Sequence, residues 1–309
     1  MKRKTRRLRF GERVVLHGTV TLVLVALIVG LNLRNKTPEP EPDPFEQLRD
    51  LDFEVTVKCG GESFSSAQLA VNDIAEGCQI RISRSGKQSP IWFGNRVAAL
   101  DQLSAKVVSF DCPSTVITAR DVPVLAKMTQ VQELTADADN LQSRDFWFLS
   151  QLPNLQHLEL YSVFLDDWAM RNVVKYDSLE VLKIGRSQIT DYTISRLTES
   201  PIQILHVDNT RVTDAALPHI AQMKQLRELN LSATQITAQS ARYWKEMESL
   251  EVLDLRRTQV DDSVAEVLAE TQIQRVVIGE TKITSYGIML LEMNGVIVET
   301  GLPLDLVAH

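Results

Sequence analysis

The side chains able to ligate a metal or move a proton are thinly spread along this chain. Histidines stand at positions 17, 157, 206, 219 and 309, and cysteines at 59, 78 and 112. A zinc site gathers its ligands at bonds of about 2 Å, often from sets such as CxxC or HExxH, and neither motif occurs. There is no GxGxxG turn, Walker-type glycine loop or GxSxG elbow either, so dinucleotide binding, phosphate cradling and serine-nucleophile chemistry lack their usual footing. Asp191, Asp214 and Asp262 would suit calcium binding or general acid–base work by type alone. Each also falls where a helix is expected to start, and a carboxylate there accepts backbone N–H groups and favours the positive helix end. Capping is the simpler account. No catalytic residue, metal or cofactor is assigned, and the chain reads as a non-enzyme.

The elements that would position these groups follow from a repeat. Val107, Val131, Leu155, Leu179, Ile202, Leu226, Leu250 and Ile273 begin units of 23 or 24 residues. Three and five residues further on, small or apolar side chains recur, as in Leu158 with Leu160, Leu229 with Leu231 and Leu253 with Leu255. That alternation predicts a short strand with one buried face. A second apolar pair, such as Phe146 with Leu149 or Leu217 with Ile220, has helix spacing. A strand–turn–helix unit cannot bury its own apolar edge, so the units must stack into a solenoid with one continuous core. His157 and His206 then project from strands two repeats apart, about 10 Å, too far to share an ion. Trp147, Trp168 and Trp244 fall in helical segments and are expected to be packing residues.

The segments "LEVLKIGRSQITD", "ILHVDNTRVTD" and "LEVLDLRRTQVDD" resemble the leucine-rich repeat family, in the subtype LxxLxLxxTxITDxxL. The resemblance implies an α/β, ribonuclease-inhibitor-like horseshoe over residues 107–300, with a parallel sheet on its concave side and protein binding there. The ninth position of each unit, Asn or Cys in the family, is Thr115, Asp139, Val163, Ser187, Thr210, Thr234, Thr258 and Thr281 here. Hydroxyls can still bond to the turn backbone. Val163 cannot, so the ladder of turns is expected to break at its repeat.

Ahead of the repeats the composition changes sharply. Seven Lys or Arg lie in residues 1–13, and residues 14–33 contain no Asp, Glu, Lys or Arg while thirteen of the twenty are Leu, Ile or Val. Twenty residues at about 1.5 Å each span a bilayer core of about 30 Å, so 14–33 reads as a transmembrane helix. A cleaved signal peptide is the alternative, but its apolar region is shorter and ends at a small-residue site, and "ALIVGLNLRNK" offers none. The basic tail places the amino terminus in the cytoplasm and the remainder across the membrane. Residues 34–50, with "NKTPEPEPDP", read as an extended spacer. Residues 1–34 hold eight basic and one acidic residue, leaving 25 basic and 39 acidic beyond them, a net of −14. Such an acidic region is a poor partner for nucleic acid.

Residues 51–106 fall out of phase with the repeats and are expected to form an irregular amino-terminal cap. They contain the alternations Phe53/Val55/Val57 and Ile80/Ile82, with a helix at 65–77 between them. Cys112 sits at a core position. Cys59 and Cys78 meet if the two cap strands run antiparallel, and lie apart if they run parallel. Residues 301–309 form a carboxy-terminal tail.

The exposed positions of the repeat strands give the candidate contact surface: Tyr161, Lys183, Arg186, His206, Asp208, Arg256 and Arg257. A mixed face with Tyr, His and Arg suits a folded protein better than an apolar ligand. The sequence thus points to a single-pass membrane protein whose repeats bind a protein outside the cytoplasm. A structural role in the cell envelope through the solenoid edges is the first alternative. An enzyme whose cluster is invisible in sequence spacing is the second.

Overall fold

The computed structural model describes residues 43–50, 52–59, 62–65, 74, 78–84, 91–92, 101–171, 173 and 176–301. The basic tail, the 14–33 segment, most of the spacer, most of the helix expected at 65–77 and the tail beyond 301 lie outside the described residues. Among the described residues no helix is long and apolar enough to cross a membrane.

The repeats form one parallel ladder: β5 (Val107–Val116), β6 (Glu133–Asp137), β7 (His157–Tyr161), β8 (Val181–Lys183), β9 (Ile204–His206), β10 (Glu228–Asn230), β11 (Val252–Asp254), β12 (Arg275–Val277) and β13 (Ile297–Glu299). Each strand pairs with the next in sequence, so the described chain winds as a solenoid. Leu158, Leu182, Leu205, Leu229, Leu253 and Val276 stand opposite one another on β7 to β12 and are fully buried. Burying one such side chain is worth about 1.5–3 kcal/mol, and here every rung repeats it. The expected register holds.

After the strand the chain must turn within two residues. In five consecutive repeats it does so through a left-handed residue, Arg186, Asn209, Ala233, Arg257 or Glu280, with φ between 51° and 59°. That turn buries the ninth position in four of the five, and the Thr hydroxyls donate back to the strand: Thr210 to Val207 O at 2.6 Å, Thr258 to Leu255 O at 2.5 Å, and the half-buried Thr281 to Ile278 O at 2.8 Å. The repeat at Leu155 departs from this, as its Val requires. Ser162 occupies the buried place, Val163 is 41% exposed, and Asp139 of the preceding repeat accepts the Val163 N–H at 3.0 Å.

The helical segments are short because strand and turns leave little of each 23-residue unit; Asp167–Met170, Asp191–Ser195 and Leu217–Ile220 are single turns. Their starts correct one expectation. Asp191, Asp214 and Asp262 do not cap their own helices. The cap is the preceding residue, Thr190, Thr213 or Asp261, whose side chain accepts from the residue two further on. Each Asp instead reaches the next repeat: Asp191 accepts the N–H and hydroxyl of Thr213 (both 2.7 Å), Asp214 those of Thr237 (2.9 and 2.5 Å), and Asp262 those of Thr284 (2.8 and 2.7 Å). Asp167 does the same to Thr190 at 2.9 and 2.7 Å. Where the next cap is itself an acid, the reaching residue is uncharged: Ser143 donates to Asp166 at 2.6 Å, and Ala238 precedes Asp261.

The cap begins earlier than its sequence suggests. α1 (Pro44–Arg49) starts inside the stretch read as spacer, with Asp43 accepting the Phe45 N–H at 3.0 Å and Phe45 and Leu48 buried. Pro is tolerated at a first helical position, so the Pro-acid run does not exclude a helix there. β1 (Glu54–Cys59) pairs antiparallel with β2 (Glu62–Ser65) and with β3 (Gln79–Ser83), and β3 and β4 (Ile91–Trp92) both join β5 in parallel. The antiparallel pairing brings Cys59 and Cys78 together in a disulfide, with Cα atoms 4.5 Å apart. Cys112 is free and buried.

Candidate functional site

The fifth position of each repeat lies on the exposed side of its strand, yet much of that column is covered. Thr135, His206, Asn230 and Asp254 are buried and Val277 fully so. With strands about 4.8 Å apart, polar side chains on the same and on adjacent rungs lie over and pair with one another. Glu159 accepts from the Tyr161 hydroxyl, with Lys183 Nζ at 3.3 Å and His157 Nε2 at 3.5 Å. Burial would raise the Glu159 carboxyl, but His157, Tyr161 and Lys183 together hold it down at about 2. His206 Nε2 lies 2.7 Å from Glu228 Oε1, a contact that lowers the Glu228 carboxyl. The Arg256 Nε donates to Asp254 at 3.0 Å, and its side chain is only 12% exposed. Asn230 Nδ2 donates to Asp208 Oδ1 at 3.5 Å.

These pairings correct the expected contact surface. His206 does not project into solvent; it is buried against Glu228. Arg256 and Asp208 are half-buried and committed to neighbours. Lys183 is partly exposed but bound to Glu159. Tyr161, Arg186 and Arg257 do face solvent, Arg257 donating to Glu280 at 3.0 Å. The hollow between His206, Glu228, Asn230, Asp254 and Arg256 measures about 10 Å³, far below the roughly 300 Å³ of a small-molecule site. Among the described residues no three His, Cys, Asp or Glu are placed to hold a metal ion.

What the molecule does expose is aromatic. Trp244 is buried and donates to Ser240 at 3.1 Å, as a packing residue should, but Trp147 is 45% and Trp168 46% exposed. Trp168 and Tyr192 occupy the same second position of consecutive helical segments, and Tyr192 is 60% exposed. At the end of β7 and on the turn leading to Trp168 stand Tyr161, Val163 and Phe164, all exposed. The Arg171 guanidinium lies 3.9 Å from the Trp168 ring centroid. Arg186 is exposed on the neighbouring turn, with no carboxylate in ion-pair range among the described residues. In the next three repeats the Trp168 column carries Ala215, Gln239 and Ser263, and an aromatic returns at Tyr286 of the last. The patch is therefore local to the repeats beginning at Leu155 and Leu179. The sequence sets Trp168 in a helical segment as a packing residue and gives Phe164 no role, although the broken turn at Val163 is a visible signal that side chains there face outward.

No family model and no curated protein matches the sequence. Among solved structures the chain is similar to a leucine-rich-repeat protein of Leptospira interrogans, at 17% identity and a TM-score of 0.45 over 70% of this chain and 53% of that one. It is also similar to an internalin from Listeria monocytogenes, at 16% identity and a TM-score of 0.40 over 66% of this chain and 77% of that one. The chain spans about half the length of the first of these structures.

Proposed function

We propose that this chain is a non-catalytic, membrane-anchored solenoid that captures a protein partner outside the cytoplasm, and that the contact centres on the aromatic patch of the Leu155 and Leu179 repeats. The observation that carries this reading is the grouping of exposed Tyr161, Phe164, Trp168 and Tyr192 with Arg171 and Arg186. Soluble surfaces seldom leave such groups bare, and binding energy concentrates in Trp, Tyr and Arg anchors. Of the original contact candidates, Tyr161 and Arg186 belong to this face. The anchor rests on the composition of residues 1–33, and the Cys59–Cys78 bridge supports an oxidising compartment for the repeats.

A photoreactive amino acid placed at Trp168 or Tyr192 in the full chain, in native membranes, should yield a discrete cross-linked protein. The same probe at Gln239 or Ser263, in the same column of later repeats, should not. Equal labelling from both pairs of positions would remove the patch as the contact site. A reporter fused after His309 should be active only across the membrane; cytoplasmic activity would overturn the placement.

A further inference from the structure

The exposed aromatic side chains of the Leu155 and Leu179 repeats are bordered by cations that the fold leaves without a carboxylate. Arg171 follows Trp168 by three residues and Arg196 follows Tyr192 by four, each closing its helical segment. Arg186 and Arg211 stand on the turns after β8 and β9, and all four are exposed. Arg171 lies over the Trp168 ring, and Arg211 donates to the neutral Gln188 Oε1 at 3.3 Å. Among the described residues none of the four has a carboxylate in ion-pair range. Other arginines of the chain do: Arg81 meets Glu133, Arg227 meets Glu251 and Arg257 meets Glu280, each at 3.0 Å. Arg257 makes the contrast direct, because it holds in its repeat the left-handed place that Arg186 holds in the Leu179 repeat. The following repeat offers Arg257 a carboxylate, Glu280, and offers Arg186 the neutral Asn209 at the equivalent place. Among the described residues Arg120 and Arg242 also lack an ion pair, but they stand singly, and Arg242 lies over the Tyr243 ring at 4.7 Å.

The carboxylates of the same turns are already committed. Asp166 accepts from Ser143 at 2.6 Å and from the Ala169 N–H at 2.9 Å, Asp167 from Thr190 and Thr193, Asp191 from Thr213 and Asp214 from Thr237. Glu159 lies with Tyr161 and Lys183, and Asp208 with Asn230. A partner that covers the aromatic side chains strips water from the guanidiniums beside them. A charge left unpaired in such a contact costs far more than a neutral polar group, so a purely apolar partner surface is disfavoured. The planar N–H fork of Arg fits a carboxylate at two points. On the footing that this patch is the contact site, we infer that the captured protein presents an acidic segment. Its carboxylates meet Arg171, Arg186, Arg196 and Arg211, and its apolar side chains rest on Trp168 and Tyr192. The chain beyond residue 34, at a net of −14, repels acidic proteins at a distance. Retention then depends on carboxylates spaced to meet the guanidiniums, which makes the contact selective among acidic chains.

A library of short random peptides, selected against the full chain in phosphatidylcholine nanodiscs, supplies the probe. Peptides retained over empty nanodiscs should carry Asp or Glu interleaved with apolar residues, and should bind R186E with R211E more than about tenfold more weakly than the parent. That variant should melt like the parent, since Glu280 already occupies the place equivalent to Arg186 and Gln235 the place equivalent to Arg211. A retained peptide remade with Lys in place of its acids should bind R186E with R211E better than it binds the parent. W168A with Y192A should lose the original peptides as well. Peptides that need Trp168 and Tyr192 but carry no acids, or that bind R186E with R211E as well as the parent, would overturn the inference while leaving the patch in place. Peptides indifferent to W168A with Y192A would remove the patch itself and the inference with it, and a selection that retains nothing over empty nanodiscs would overturn both.

Discussion

Glu159 shows how a strand-face residue becomes structural. Its carboxyl is drawn down to about 2 by His157, Tyr161 and Lys183, against about 4.3 in an unfolded chain. A folded-state value below the unfolded one means that the group adds stability above about pH 4.3, and that this contribution is lost as the pH falls towards 2. The E159Q variant should be less stable than the parent at neutral pH, and the gap should narrow between about pH 4.3 and 2. Thermal melts of both proteins across that window test it; a gap independent of pH would mean that the carboxylate charge is not what binds the cluster. Arg186 and Trp168 should behave oppositely. Neither is buried, so R186A and W168A should each change stability by no more than about 0.5 kcal/mol, and a larger loss in calorimetry would mark them as packing residues. That His206 and Arg256 belong with Glu159 rather than with Arg186 was not legible in the sequence. Alternation tells which face a side chain leaves from, not whether a neighbour on its own rung or the next lies across it.

At the scale of the element, the contact between successive helix starts depends on matched types. A carboxylate at the first helical position faces a Thr cap in the next repeat, as in Asp191 with Thr213, Asp214 with Thr237 and Asp262 with Thr284. Ser143 and Ala238 face the acidic caps Asp166 and Asp261 instead. A238D alone should set one carboxylate against another and destabilise the protein. Combined with D261T it should build the rung found in the other repeats, with two hydrogen bonds to a charged acceptor. The double-mutant cycle should therefore show a favourable coupling of about 1–3 kcal/mol, measured by denaturant unfolding; additive effects would mean that the rungs contribute nothing net. The period, the strand register and the buried Leu columns were all readable beforehand, because a strand with one buried face must alternate. The direction of these Asp side chains was not, since own-helix capping and next-repeat bonding need the same residue at the same place.

For the whole molecule, a stack held by nearest-neighbour contacts should come apart from its ends. The cap is joined to the repeats through β3 and β4 on β5, and the Cys59–Cys78 bridge fastens β1 close to the start of β3. Its antiparallel pairing was one of two arrangements that the cysteine spacing left open, and only the fold selects between them. Replacing both cysteines with serine should cost about 2–4 kcal/mol, the usual effect of losing a bridge. The cost should be local. Val107 and Phe110, fully buried under the cap, should lose amide-exchange protection first, with the effect fading through β6 and β7 and absent by β11. The same gradient should follow mild reduction of the parent protein, with Cys112 remaining buried and unmodified. Protection lost equally from β5 to β11 would show instead that the solenoid opens as a single cooperative block, with the loss of the bridge felt in every repeat.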